Sequence, residues 1–446
     1  MISARKFAVL LFIVLFLAVQ LSSLSHPVGW DEAVYLGMSK YIYSSGENGL
    51  WEDIRPPGLP LVLGLGLVAP AHFIVVSGIV SLLFAVGAII LTFRFGKLYN
   101  VNTGVIAAVL LALTPVFFSS SSEIMSSIPA TFFSLLALYL YLTKKNLVLV
   151  GLSAGGAFLF RFPQGLTFAA LFLIILIMHR SVRKLGYLAL GFGAVVAAFL
   201  AFNFLMYQDI TGSAVDALFR PFLFAAKHQA NPFHSESVFF YGKMLLLQSA
   251  LFAFAVLGLF SRRWRELVIV AALYFTYYTF IPNKQERFLL DFLPYLCILA
   301  GVGIVRAYHL LKFSTALRMA LVVLCFIPVG QMVFMDYSIY SEGDAEPLEP
   351  FFSSMPQGTV LTMTPVPAAY SDTLFIPMYN NPTVALEIYH DWIDQVDYVL
   401  YFSDYYPCFD SDCIGKKNAM EVLLREHPVV SQTRINGQEY TLYNLS

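Results

Sequence analysis

Long apolar stretches separated by short polar breaks run through the first three quarters of the chain, and the pattern stops near residue 336. Runs of about 17–25 apolar residues bounded by charge, proline or glycine predict membrane-spanning helices. Eleven can be placed, at about 6–25, 70–93, 103–118, 128–143, 147–160, 165–179, 185–206, 239–260, 267–281, 289–305 and 319–335. From Asp336 onward the alternation is that of a small soluble α/β unit: "GTVLTM" and "VDYVLYFS" read as strands, and Lys416–Glu426 has helical spacing. The reading is therefore an α-helical polytopic membrane protein with a transmembrane domain over 1–335 and a soluble extracytoplasmic domain over 336–446. The first run also has the form of a signal peptide, with Arg5 and Lys6 ahead of it and Ser22, Ser23 and Ser25 behind. Either reading leaves the loop that follows on the outer side.

Charge gives these spans a direction. With Arg5 and Lys6 inside, the alternate loops hold Arg94 and Lys97; Lys144 and Lys145; Arg180, Arg183 and Lys184; Arg262, Arg263 and Arg265; and Arg306, Lys312 and Arg318. That is 15 of the 27 basic residues, all in short loops, so the positive-inside rule predicts a cytoplasmic N-terminus, a multi-pass cell-membrane protein and an external C-terminal domain. Composition agrees: 58% of residues are hydrophobic and 12% charged, about half the charge of a soluble chain. A net charge of -1 argues against a nucleic-acid partner, which needs a basic surplus. Cys297 and Cys325 fall in predicted spans and read as apolar fillers, while Cys408 and Cys413 in "CFDSDC" are a candidate local disulfide.

What charge remains gathers on the predicted outer side. Asp31 and Glu32 follow the first span directly, and two adjacent carboxylates at a membrane boundary are costly unless they are used. A cap and dipole role at a helix N-terminus is the competing reading for the pair. Arg55-Pro56-Pro57-Gly58 comes one loop later, and an arginine beside a rigid turn suits bidentate binding of a phosphate. Glu123 in "SSSSEIMSSIP" and Lys284, Glu286 and Arg287 in "PNKQERFLLDFLP" lie at the outer ends of later spans. Arg161 in "FRFPQG" reads as an outer-edge snorkelling residue rather than a donor contact, and His26 beside Pro27 as a structural interfacial histidine rather than a helper at the site. His228 and His234 lack the spacing of a zinc motif.

The Asp-Glu pair after the first helix, the "RPPG" turn, the acid of the second outer loop and a late "ERFLLDFLP" similar to "HRYLLPLLP" resemble the GT-C glycosyltransferases over about residues 1–335. The branch it looks like is that of the dolichyl-phosphate-mannose protein mannosyltransferases and lipid A aminoarabinose transferases. The resemblance implies a polyprenyl-phosphate sugar donor, transfer on the outer face and a lipid, protein or glycan acceptor. It also implies roles: Asp31 as the catalytic carboxylate with Glu32 its neighbour, Arg55 and Arg287 near the donor phosphate helped by Lys284, and Glu123 as the second-loop acid. Asp31 and Glu123 are candidate ligands for magnesium or manganese, since hard oxygens suit these cations. Ser127 stands where relatives often carry an acid in "E-x-M-x-D-x-P", which weakens a two-carboxylate metal site. Two other classes fit the composition, a flippase for polyprenyl-linked sugars and a non-catalytic glycan-binding scaffold. Against a flippase, the charges lie at span ends rather than mid-span, and no inverted repeat is visible.

Overall fold

The computed structural model describes residues 4–208, 211–230, 236–260, 264–311, 348–378, 382–402, 411–435 and 438–445. The chain divides into two compact units, residues 1–24, 53–59 and 78–337, and residues 25–52, 60–77 and 338–446.

The first unit is a helical bundle. Among the described residues four helices are long and apolar enough to cross a membrane, Phe73–Lys97, Phe162–His179, Val182–Tyr207 and Leu293–Leu310, and Phe240–Gln248 with Ala250–Leu259 forms an apolar pair bent by 116°, a broken span or a re-entrant loop. Shorter apolar helices, Val101–Ala112, Ser127–Leu142 and Leu147–Phe160, occupy other predicted spans. One shortfall has a local cause: Pro115 cannot continue the Val101–Ala112 helix, so a separate turn, Pro115–Ser120, completes that stretch. The predicted span at 319–335 and Cys325 lie outside the described residues. The first helix, Ala4–Ser22, packs Phe16 edge-on against Phe118 at 6.0 Å and sends Gln20 Nε2 to the Phe118 carbonyl at 2.9 Å.

Outward-facing positions of the bundle are apolar, with Leu190 63% and Leu205 70% exposed, as expected where lipid replaces water. Burial of apolar surface drives little association in lipid, so small residues and close packing take over. The Leu147–Phe160 and Val182–Tyr207 helices meet through Gly151 and Gly191. A Cβ at Gly151 would lie 2.2 Å from the Leu188 carbonyl oxygen, and one at Gly191 would lie 2.1 Å from that of Val148. Gly151→Ala is expected to part the two helices at a cost of about 1–3 kcal/mol, read as a lower thermal midpoint in detergent.

The second unit is built on a six-stranded sheet of order β1-β3-β2-β4-β6-β5. Its strands are β1 (Gly49–Leu50), β2 (Thr359–Thr362), β3 (Leu374–Pro377), β4 (Tyr398–Phe402), β5 (Val429–Ile435) and β6 (Gln438–Asn444). β1, β3, β2 and β4 run parallel, and β6 is antiparallel to both β4 and β5. The "GTVLTM" and "VDYVLYFS" strands are β2 and β4, and the expected helix is Ser411–Leu424. Cys413 is disulfide-bonded, and Cys408, its expected partner, lies outside the described residues.

This unit extends beyond 336–446. It takes in part of the first loop, which the sequence reading placed in the 1–335 domain. β1 pairs in register with β3, Gly49 opposite Leu374, and Val34, Met38 and Leu50 share one core with Phe352, Val360, Leu361 and Phe375. Lys40, on the Trp30–Tyr43 helix, bonds the Ser371 carbonyl at 2.9 Å and pairs with Asp372 at 3.0 Å. Burial holds its ammonium below the usual lysine value, an effect that Asp372 partly offsets.

Candidate functional site

Within the second unit, Asp31 and Glu32 open the Trp30–Tyr43 helix. Gly29 is the extended N-cap residue, and the two acids fill the first turn, where the helix dipole favours negative charge. Their environments then part them. Glu32 is 4% exposed, its carboxylate accepts the Gly29 N–H at 2.7 Å, and His26 Nε2 lies 3.1 Å from both of its oxygens. Glu32 thus holds the first turn of the helix, as the cap reading of the pair expects, and Asp31 beside it is half-buried.

Within the first unit, the 161–164 connection packs against the start of the Ser127–Leu142 helix and the 286–291 segment. The "RPPG" turn is seated by Gly58: a Cβ there would come within 2.5 Å of the Leu159 carbonyl oxygen and 2.9 Å of the Phe160 nitrogen. Only glycine lets the turn rest on the last residues of the Leu147–Phe160 helix, whose C-cap is Arg161. Gly58→Ala should therefore displace the turn and lower turnover at least tenfold with little loss of bundle stability, measurable as specific activity beside a thermal melt.

Arg161 is not a snorkelling residue. Its Nε donates to Asp291 Oδ2 at 2.9 Å, its Nη1 to Ser127 Oγ at 3.1 Å, and its guanidinium carbon lies 4.9 Å above the Phe288 ring. Asp291 is fully buried and takes a second hydrogen bond from the Tyr278 hydroxyl. Sequence reasoning quoted "ERFLLDFLP" without singling out this acid. A lone carboxylate in an apolar run was the signal, and it needed a cation 130 residues away to be interpreted. Ser127, standing where relatives often carry an acid, bonds the same arginine.

The other candidates divide. Arg287 Nε donates to Gln285 Oε1 at 2.6 Å, and burial lowers its pKa while the Asp291 charge partly restores it. Lys284 is 7% exposed and its ammonium donates to the carbonyls of Ile281 at 2.9 Å and Glu236 at 3.3 Å, so it ties this loop to the 236 segment. Glu286 accepts from Gln248 Nε2, and Gln248 Oε1 in turn takes the Val116 N–H at 2.8 Å, which ties the loop to the start of the stretch leading to Glu123. Glu123 is itself half-buried. A further pair, Arg220 to Asp53 at 2.7 Å, fastens the Ala214–Ala230 helix of the second large loop to the segment just before Arg55. Among the described residues no group of three His, Cys, Asp or Glu side chains is placed to hold a metal ion.

The whole chain has the fold of membrane glycosyltransferases. It is similar to the crystal structures of ArnT from Cupriavidus metallidurans, bound to undecaprenyl phosphate (TM-score 0.68, 14% identity, 99% of each chain covered) and in the apo state (TM-score 0.67, 15% identity, 100% of this chain and 99% of that one). It also resembles the arabinofuranosyltransferase AftD from Mycobacteria, with a TM-score of 0.56, 14% identity, 98% of this chain and 40% of that chain covered. No curated protein matches it in sequence. Residues 7–353 match the Alg9-like mannosyltransferase family, and the chain belongs to that family, a GT-C glycosyltransferase with many membrane-embedded helices.

Proposed function

We propose that the protein transfers a sugar from a polyprenyl-phosphate donor to an acceptor hydroxyl on a lipid, protein or glycan, on the outer face of the cell membrane and with inversion at the anomeric carbon. The observation that carries this reading is the gathering of arginines at one end of an otherwise apolar bundle: the Arg55–Gly58 turn seated beside Arg161, with Arg287 next to the Phe288 ring on which Arg161 stacks. Such an end suits the phosphate of a membrane-embedded lipid, and ArnT, of the same fold, has been seen with undecaprenyl phosphate bound.

A sugar carried on a lipid phosphate already has its leaving group activated. The protein must supply a base for the attacking hydroxyl and positive charge for the departing phosphate. In this reading the Asp31 carboxylate takes the hydroxyl proton as the oxygen attacks the anomeric carbon. The glycosidic C–O bond to phosphate breaks, and the electron pair leaves on the phosphate oxygen, where Arg55 and Arg287 meet it. Glu32 orients Asp31 through the cap, and Glu123 stands on the acceptor or donor side as a second acid. External labelling of cysteines placed in the 22–52 loop and the C-terminal unit of intact cells tests the orientation, and protection of both would reverse it.

Purified protein in lipid nanodiscs, given radiolabelled polyprenyl-phosphate-mannose and a crude acceptor extract, should move label to the acceptor. Label crossing a vesicle membrane without transfer would favour a flippase. Neither transfer nor crossing would leave a binding scaffold.

A further inference from the structure

We infer that Arg161 is a further ligand for the donor phosphate and that Asp291 is its positioning residue, a buried counter-ion that fixes the guanidinium plane toward the turn carrying Arg55. The inference rests on the proposed donor class and adds to it Asp291, which the sequence pattern alone assigns to no role, and Arg161, which that pattern reads as snorkelling.

The argument begins with cost. Asp291 has no exposed surface and Arg161 keeps 15% of its side chain exposed, so the pair lies where a membrane bundle holds charge only at expense. Apolar side chains of similar volume would pack such a place at least as stably, which makes the pair weak evidence for stability and better evidence for use. Its geometry is that of an arginine held rather than merely neutralised. Nε is committed to Asp291, Nη1 to Ser127, and the plane lies against Phe288, so three contacts from two segments define one orientation. Asp291 is held in turn: one oxygen takes both the arginine and the Tyr278 hydroxyl, and Gln164 Nε2 donates to its main-chain carbonyl at 3.3 Å. Its other oxygen, Oδ1, is buried without a hydrogen-bond partner among the described residues. Packing of apolar groups would not leave a carboxylate oxygen bare; retaining the charge for Arg161 accounts for it.

Position supplies the ligand. Arg161 follows directly on the two residues that seat Gly58, and it stacks on the residue after Arg287. It therefore lies between the two turns that carry the other candidate cations. A planar guanidinium of fixed orientation there recognises the tetrahedral oxygens of a phosphate ester bidentately, which an ammonium cannot do.

The same contacts provide a rescue test. Because Ser127 Oγ lies 3.1 Å from Nη1, a carboxylate at 127 would meet the other edge of the guanidinium. Three variants are compared in nanodiscs, Arg161→Gln, Asp291→Asn and the double variant Asp291→Asn with Ser127→Asp. Binding of sugar-free polyprenyl phosphate, KM and kcat with polyprenyl-phosphate-mannose, and thermal midpoint are measured for each. Arg161→Gln and Asp291→Asn should weaken lipid-phosphate binding and raise donor KM at least tenfold, with kcat changed less than threefold. The double variant should recover binding to within about threefold of the native protein. Native-like binding by Arg161→Gln overturns the ligand role. A double variant that melts as the native protein does but binds no better than Asp291→Asn overturns the positioning role. If the native protein itself binds no polyprenyl phosphate, the donor class fails and this inference with it, an outcome distinct from the other two.

Discussion

Asp31→Asn is expected to lower sugar transfer by a factor of about 10²–10⁴ with the donor KM nearly unchanged, the range that a positioned general base contributes. The reason lies in how the first turn of the Trp30–Tyr43 helix shares out its two acids. Glu32 is occupied by the Gly29 N–H and His26, so it cannot take over proton removal without dismantling the turn. Asparagine at 31 keeps the size of the side chain and loses one charge near the helix N-terminus, worth about 0.3–1 kcal/mol, so the fold should survive. Asp31→Glu should restore part of the rate, because a carboxylate remains within a methylene of its place. Glu32→Gln should behave differently, lowering the thermal midpoint along with activity, since it weakens the cap and the His26 contact together. The measurement is kcat and KM for each variant beside a melt. A near-native rate for Asp31→Asn would sink the assignment of Asp31 as base.

The apolar pattern located most of the bundle because lipid demands long uninterrupted apolar runs. The 147–160 segment is the Leu147–Phe160 helix to the residue, while the Phe73–Lys97 helix runs one turn past the expected end at 93 and takes in Arg94 and Lys97. The first loop was less legible. β1 is two residues long, too short for any alternation to register, and it is a strand only because β3, more than 300 residues away, supplies its partner. The local signals near Asp31 could show that acids sit at a membrane edge, and only the Gly29–Glu32 contact could show that the two differ. Arg161 and Asp291 were hidden for a related reason. Each, alone at the end of an apolar run, has the form of a residue reaching for solvent, and the bond between them makes them an interior pair. Lys284, a lysine at a span end that reads as a phosphate ligand, also has a tie the sequence does not show: its ammonium is held by two main-chain carbonyls.

Replacement of Arg55 by glutamine should cost about 10²–10³ in kcat, the loss seen when one preorganised group facing developing charge is removed. In the donor the phosphate shares its charge with the ester oxygen that bridges it to the sugar. As that bond breaks, the electron pair moves onto the phosphate, so an arginine aimed there acts more strongly in the transition state than on the bound donor. The prediction is therefore a fall in kcat with a modest change in KM, opposite in form to that expected for Arg161, whose role is to hold the ground-state phosphate. Arg55→Lys should recover only part of the rate, because a point charge replaces a two-pronged donor on a turn fixed by Pro56, Pro57 and the seat of Gly58. The segment is held from its other side by the Asp53–Arg220 pair, so Asp53→Asn should reproduce a weaker version of the same kcat loss by loosening the approach to Arg55. Equal losses in Arg55→Gln and Asp53→Asn would mean that the segment's fold matters and the Arg55 charge does not. A KM effect in Arg55→Gln without a kcat effect would reassign Arg55 to donor capture and leave the departing phosphate to Arg287.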